Sequence, residues 1–199
     1  MALLRVFAPR WAKRGLKTLP AVWFVLSALL LAGGPQAPAR AMSPTEYQLK
    51  AVFLFNFAQF VDWPQESFPE AQTPLVIGVL GEDPFGTYLD DIVSGETVNN
   101  RQLEIQRYRR VDEMKTCHIL FISQSEGKRL EQIVADLKGR SILTVSDSVG
   151  FTRSGGMIRF VTERNKLRLR INLEAATAAN LTISSKLLRP AEIVKPGKD

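Results

Sequence analysis

Ser125 and Lys128 are the first residues of this chain whose types and spacing could do chemistry, because they form the S-x-x-K pattern of serine acyl-enzymes. The K-T-G pattern that accompanies it in those enzymes is missing from the sequence. A serine that caps a helix beginning near Glu126 explains the same residues without catalysis. We therefore predict that the protein is not an enzyme, with an exported hydrolase that uses Ser125 and Lys128 as the minor alternative.

The segment from Gly78 to Asp83 ends an apolar run with a glycine turn, which is one mark of a nucleotide-binding loop. A dinucleotide fingerprint needs the spacing G-x-G-x-x-G, and the glycines here do not have it. Glu82 and Asp83 would also place two carboxylates where a pyrophosphate has to lie. The segment therefore predicts a strand that turns into a helix capped by Asp83, and no nucleotide cofactor.

Cys117 and His118 are the only cysteine and the only histidine of the chain, and they are neighbours. A structural zinc site takes four ligands, so this pair is too small a set, and we predict neither a metal nor a cofactor. One cysteine cannot form a disulfide within its own chain. Its place in an apolar run indicates a buried, inert thiol, with a redox or intermolecular link as the alternative.

Charge is distributed unevenly along the 199 residues. Lysines and arginines number 26 against 20 acidic residues, but the excess lies in residues 1–41, so that the rest of the chain is neutral. A neutral body lacks the cationic surface with which dedicated nucleic-acid-binding proteins neutralise phosphates, and we predict no nucleic-acid partner. Its apolar content predicts one folded domain at residues 42–194, followed by a tail at 195–199.

Residues 1–41 have the three parts of a secretory signal peptide. A basic stretch ends at Lys17, an apolar segment covers residues 19–32, and Ala39 and Ala41 supply the A-x-A pattern that a signal peptidase recognises. We predict cleavage after Ala41 and export to a bacterial periplasm. An uncleaved amino-terminal anchor is the alternative, although the apolar segment is shorter than a membrane-spanning helix.

The body alternates apolar runs with helical patterns, which is typical of an α/β fold. These patterns predict strands at 75–80, 103–108, 119–122 and 142–145, and a helix at 126–138. Such alternation implies a mostly parallel sheet with helices on both faces, so we predict a three-layer α/β domain. Residues 157–173 then alternate strictly around a turn at 163–165, which predicts a carboxy-terminal antiparallel hairpin.

One face of this predicted hairpin is exposed and basic. Strict alternation assigns to it Arg159, Lys166, Arg168 and Arg170. Arg153 precedes the hairpin in a glycine-containing loop, and loops of this kind often carry contacts. A solvated sheet face is the simple interpretation of the basic residues; an acidic protein surface or an anionic ligand is the alternative.

The first helix of the body is predicted by the capping-box pattern S-P-T-E at residues 43–46, and it should end before Trp63 and Pro64. Between residues 49 and 61 only three residues are polar, so the helix needs two packing partners. One face can cover the sheet, and the other must meet another helix, another chain or a ligand. Asn56 shares a face with aromatic residues and should be hydrogen-bonded, either to nearby backbone or to a partner.

Several segments, in this order and spacing, resemble the YfiR family of periplasmic proteins. They are F-N-F-A-Q-F-V-D-W-P at 55–64, I-G-V-L-G at 77–81, D-P-F-G at 83–86, S-G-G-M-I at 154–158, I-N-L-E-A-A at 171–176 and I-S-S-K-L-L at 183–188. Together they extend over nearly all of residues 43–194.

This resemblance implies a regulatory binding protein. Members of the family are similar in being periplasmic α/β proteins that dimerise, and the namesake inhibits an inner-membrane diguanylate cyclase, YfiN, by binding its periplasmic part. An outer-membrane lipoprotein, YfiB, sequesters the inhibitor, which raises cyclic di-GMP and favours biofilm formation. For this chain the resemblance implies a homodimer, with a YfiN-like cyclase and a YfiB-like lipoprotein as partners.

We predict that such a function depends on the aromatic first helix, the basic hairpin and the loop before it. The residues assigned to partner or ligand binding are Phe53, Asn56, Phe57, Phe60, Trp63, Arg153, Arg159, Arg168, Arg170 and Asn172. The alternative is a periplasmic sensor module for a small aromatic or anionic metabolite, with a pocket near Phe53, Asn56, Phe57 and Trp63.

The sequence departs from the family pattern at two positions. Cys117 alone cannot form the intramolecular disulfides of redox-stabilised members, so a redox-sensing role does not carry over. Asn180 stands where the pattern usually has glycine, which is a mild change because asparagine tolerates the left-handed conformation at a helix end.

Overall fold

A mixed sheet of eight strands, with helices on both faces, organises the part of the chain that the computed structural model describes, which is residues 44–195 and residue 197. The helices are α1 (Pro44–Phe60), α2 (Thr87–Val93), α3 (Leu130–Asp136), α4 (Leu173–Ala178) and α5 (Ser185–Leu188). The strands are β1 (Val61–Asp62), β2 (Leu75–Leu80), β3 (Thr97–Val98), β4 (Arg101–Tyr108), β5 (Ile119–Ile122), β6 (Leu143–Ser146), β7 (Ile158–Glu163), β8 (Lys166–Ile171), β9 (Thr182–Ile183) and β10 (Glu192–Ile193). The predicted signal peptide, the capping Ser43 and most of the predicted tail lie outside the described residues.

The strand order in the large sheet is β10-β8-β7-β6-β5-β2-β4-β3. From β4 to β7 neighbouring strands pair in parallel. Within this parallel set β4 lies on one side of β2 and all later strands lie on the other, which is the order of a doubly wound sheet. Because such crossovers are right-handed, the connection from β2 to β4 and the connection from β5 to β6, which run in opposite directions across the sheet, place α2 and α3 on opposite faces. The predicted three-layer α/β fold is confirmed.

The two faces of the sheet carry separate apolar cores. On the first face Leu54 of α1 and Leu89 of α2 belong to one cluster with Phe121 of β5. On the second face Ile133 of α3 clusters with Leu120, the neighbour of Phe121 along the same strand. Because successive strand residues point to opposite faces and both faces are covered, β2 and β5 are buried at every position.

The predicted antiparallel hairpin is present as β7 and β8. Arg164 and Asn165 join the strands and both have positive φ, which suits the tight turn of a two-residue hairpin loop. β8 is also paired on its other side, because β10 runs parallel to it with Glu192 opposite Arg170. Two residues are too few to show an alternating pattern, so β10 was not predictable.

Two predicted helix caps are wrong. Asp83 does not cap α2; its carboxylate accepts a hydrogen bond from the Phe85 backbone N–H at 2.7 Å, and the helix begins further along the chain. Ser125 does not cap the following helical segment, which begins as a 3₁₀ turn capped by Ser123. None of the helices within residues 44–195 has the length and apolar character needed to cross a membrane.

Candidate interaction surface

The loop between β6 and β7 and the outer half of β8 expose one apolar and two basic side chains. Val149 is 81% exposed, and Arg153 and Arg168 are exposed as well. Phe151 of the same loop packs into the second-face core. Arg168 points to that face too, because its neighbour Leu169 belongs to the first-face core. Val149, Arg153 and Arg168 together are called the basic surface below.

Arg159 does not lie on the exposed face of the hairpin, contrary to the prediction from alternation. Its side chain is 8% exposed and lies in the sheet between Ser146 of β6 and Arg170 of β8. β6 ends at Ser146, so only the part of the hairpin nearer the turn projects beyond it. The alternation identifies the face of the sheet, but the length of the neighbouring strand decides which residues on that face reach solvent.

Arg170 is half-buried and its charge is matched within the chain. Its guanidinium lies 2.9 Å from a carboxylate oxygen of Glu192 and 3.3 Å from one of Glu163. The pair with Glu192 joins β10 to the hairpin, and the pair with Glu163 lies within the hairpin. Arg170 therefore contributes less to the outward positive field than Arg168 does.

Asn172 is buried at the end of β8, where its side chain has two hydrogen bonds. Its Oδ1 accepts from the Ala175 backbone N–H at 3.0 Å, which caps α4. Its Nδ2 donates to the Thr152 carbonyl at 3.3 Å, which holds the loop that carries Arg153. Asn172 therefore holds the loop that carries Arg153 in position, and its own side chain is buried and not available to a partner.

The aromatic side chains in the middle of α1 fill the first-face core. Phe57 is fully buried and stacks on Phe160 of β7 with ring centroids 5.9 Å apart. Phe53 is half-buried and touches both rings, at 6.2 Å from Phe57 and 6.0 Å from Phe160. The Phe53 and Phe57 rings therefore pack against the sheet and against each other.

The outward side of α1 remains apolar and partly exposed. Leu49 is 45% and Val52 is 36% exposed, and Asn56 and Phe60 follow on the same side of the helix as half-buried residues. Lys186 of α5 lies with its Nζ 5.9 Å from the Phe60 ring centroid. These four α1 residues are called the helix strip below. Asn56 keeps access to solvent there, so water can satisfy its amide.

Trp63, at the end of α1 and β1, is tied to the edge of the sheet where the parallel strands begin. Its indole Nε1 donates to the His118 carbonyl at 3.1 Å. The His118 ring is held on both sides: its Nδ1 accepts from the Val76 N–H at 3.0 Å, so Nε2 carries the proton and donates to the Ser67 carbonyl at 3.1 Å. Burial lowers the pKa of His118, which is neutral in this arrangement.

A buried ion pair that sequence patterns did not predict joins α1 to the loop after β6. Lys50 is 1% exposed, and its Nζ lies 2.6 Å from Asp147 Oδ2 and 2.8 Å from Glu46 Oε1. The Tyr47 hydroxyl donates to the same Asp147 oxygen at 3.0 Å. The available signal was a single lysine within an apolar helix, which needs a buried partner of opposite charge.

The protonation states of this cluster and of the thiol follow from burial and neighbouring charge. Burial alone would raise the pKa of Glu46, but the hydrogen bond and charge of Lys50 outweigh it and lower the pKa. Burial and the Asp147 carboxylate raise the pKa of Tyr47, so its hydroxyl remains a donor. Burial also raises the pKa of Cys117 to about 12, and the predicted buried thiol is confirmed.

At the place where doubly wound sheets bind ligands, between the carboxyl ends of β2 and β5, the Ser125 and Glu126 side chains lie against Gly81. The Ser125 Oγ accepts from the Glu82 N–H at 3.0 Å, and a Cβ added to Gly81 would lie 2.5 Å from the same oxygen. Within residues 44–195 and residue 197, no group of three or more His, Cys, Asp or Glu side chains could hold a metal ion.

The strand order and the helices on both faces define a doubly wound α/β protein in three layers. The YfiR/HmsC-like family model matches residues 47–192. This protein belongs to that family, and the resemblance seen in its sequence is confirmed. The family is a periplasmic, regulatory one connected with cyclic di-GMP signalling. A comparison with curated proteins finds no match.

Proposed function

We propose that this protein is a periplasmic regulator that binds the periplasmic part of a YfiN-like inner-membrane diguanylate cyclase and holds the cyclase inactive. A YfiB-like outer-membrane lipoprotein relieves the inhibition by sequestering the regulator, which raises cyclic di-GMP and promotes biofilm formation. The family match over residues 47–192 carries this proposal. An inhibitor that prefers one cyclase conformation shifts the equilibrium by its difference in affinity, so the mechanism needs a surface and no catalytic group.

We assign the cyclase contact to the basic surface. Val149 offers an apolar side chain that is almost fully exposed, and Arg153 of the same loop and Arg168 of β8 are exposed as well. An apolar anchor with arginines around it is the composition of strong interface contacts, and the charges select an acidic partner. Asn172 and the Lys50–Asp147 ion pair hold the loop that presents Val149 and Arg153.

The test is the affinity of the purified protein for the periplasmic segment of a membrane diguanylate cyclase encoded next to it, measured by titration calorimetry. Arg153→Glu and Arg168→Glu should each weaken binding by about tenfold or more, because each places an acid against an acidic surface. Lys128→Glu, which reverses an exposed charge before α3, is the matched control and should leave the affinity unchanged. Unchanged affinity in both Arg153→Glu and Arg168→Glu would show that the basic surface does not contact the cyclase.

We assign the homodimer contact to the helix strip. Leu49 and Val52 are exposed large hydrophobic residues one turn apart, on the same side of α1 as the half-buried Phe60. Val52→Glu should convert the dimer to a monomer, as measured by sedimentation velocity. Gln59→Glu, which changes an exposed residue on the same helix, should leave the dimer intact. A protein that is monomeric at all concentrations would contradict this assignment.

Export is part of the proposal. The periplasmic character of the family and the signal-peptide pattern of residues 1–41 support removal of that segment after Ala41. The intact mass of the secreted protein should therefore be that of a chain that begins at Met42. A mass that includes Met1 would contradict cleavage.

A further inference from the structure

A cavity of about 330 Å³ lies at the sheet edge where β5 and β6 begin, on the opposite edge from the loop that carries Val149 and Arg153. Three segments line it: residues 66–69 after α1, residues 115–118 before β5, and residues 140–142 before β6. This volume is at the lower end of the range for ligand sites in proteins. It fits a small metabolite.

The charged groups at this cavity are predominantly positive. Lys115 and Arg140 line it, against Glu66 as the carboxylate. Arg140 is half-buried, and its guanidinium donates to the Met114 carbonyl at 3.2 Å. That bond uses one of five N–H donors, so the planar group can also bind an anion in the cavity. Ser67, Thr116 and Ser141 also line the cavity, and their hydroxyls are further groups that can bind an anion.

The walls of the cavity are held in place before any ligand binds. His118, which lines the cavity, is bonded through its two ring nitrogens to the backbone of Val76 and Ser67. Its ring also stacks on Phe68, with centroids 4.5 Å apart, and the Arg101 guanidinium covers the other side of Phe68 at 4.0 Å. A preformed wall lowers the entropy cost of binding.

We propose that this cavity binds a small molecule through its phosphate or carboxylate group, with Arg140 and Lys115 as the anion-binding residues. The two cations and the hydroxyls select an anionic group, and the volume limits the size of the molecule. The site is independent of the regulatory proposal, since the basic surface lies at another edge of the sheet. Binding is expected to change the fluorescence of Trp63, because its indole donates a hydrogen bond to the carbonyl of His118, which lines the cavity.

The test is a titration of the purified protein with inorganic phosphate and, separately, with succinate, at constant ionic strength so that general screening does not change. Binding is followed by ¹H–¹⁵N NMR shifts of the amides around residues 115–118 and 140–142, and by tryptophan fluorescence. Saturation by phosphate alone, by succinate alone or by both supports the site and distinguishes the two sources of the anionic group. No saturation by either probe up to about 10 mM, where even a weak millimolar site is filled, would overturn the proposal.

Two variants separate specific binding from general attraction. Lys115→Gln removes an exposed cation, and Arg140→Gln removes the half-buried one; each should weaken the saturable binding by about tenfold. Lys128→Gln removes an exposed cation at the opposite edge of the sheet and should leave the dissociation constant unchanged. Equal weakening in all three variants, or none in Lys115→Gln and Arg140→Gln, would overturn the assignment.

Discussion

Replacing Lys50 by methionine is the sharpest test of how α1 is attached to the sheet. The substitution keeps an unbranched side chain but removes the ammonium that lies 2.6 Å from Asp147. The Asp147 side chain is 4% exposed, and its Oδ1 has no hydrogen-bond partner among the described residues. A carboxylate left buried without its cation destabilises a protein by about 3–5 kcal/mol. Since a domain of this kind is stable by about 5–15 kcal/mol, Lys50→Met should be strongly destabilising.

The structure also predicts an order among related variants. Asp147→Asn should cost less, about 1–3 kcal/mol, because Lys50 keeps Glu46 as a partner at 2.8 Å. The double variant Lys50→Met, Asp147→Leu removes both charges and should recover much of the loss seen in Lys50→Met alone. Lys128→Met, at an exposed position, is the control and should change stability by less than about 0.5 kcal/mol.

Guanidinium chloride unfolding measures these differences, with fluorescence as the signal. Trp63 is the only tryptophan after residue 41, so a chain that begins at Met42 reports through one fluorophore. The midpoint should fall in the order given while the slope of the transition stays constant. If Lys50→Met and Asp147→Asn each cost less than about 1 kcal/mol, as an exposed ion pair would, the buried pair does not hold α1 and the reasoning fails.

Three further variants test separate features. Burial lowers the pKa of His118 below its ordinary 6.5, so the unfolded chain binds a proton at higher pH than the folded chain does. The free energy of unfolding should therefore be fully retained above about pH 6.5 and fall between pH 6.5 and the folded pKa. Urea midpoints measure this pH dependence, which should be absent in His118→Gln. Gly78→Ala places a Cβ 2.7 Å from Tyr108 and should cost about 1–3 kcal/mol by overpacking; an unchanged melting temperature would contradict this. Asn172→Ala removes the α4 cap and should cost about 1–2 kcal/mol, with faster amide exchange in the loop around Arg153; unaltered exchange there would refute the positioning role.

Most of the sheet could be predicted from local patterns, because strand burial is recorded in the residues themselves. β2 is apolar at every position since helices cover both of its faces, whereas β8 alternates between more exposed and more buried residues. Gly78 illustrates the limit of such patterns. It resembled part of a nucleotide-binding turn, but its lack of a side chain leaves room for Tyr108 and Cys117 to pack against the strand.

The candidate interaction surface was only partly predictable, because local patterns do not record which side chains reach solvent. Arg168 is exposed as alternation implied, whereas Arg159 on the same face is buried because β6 extends alongside it. Asn172 and Phe57 carry the residue types of a binding site, yet their side chains point into the protein and hold neighbouring segments in place. Exposure at a given position depends on where adjacent strands and loops end, and no periodic pattern records this.

The amino-acid sequence by itself determined the fold class and the hairpin, since each depends on residues close together in the chain whose burial follows a period of two or 3.6. It also indicated the family, through the order and spacing of six short motifs. The tertiary structure decided the rest. Lys50 meets Asp147 across 97 positions, and the cavity is lined by three segments that are distant in sequence. Contacts of this kind leave no periodic trace, because they arise only when folding brings together segments that are distant in the chain.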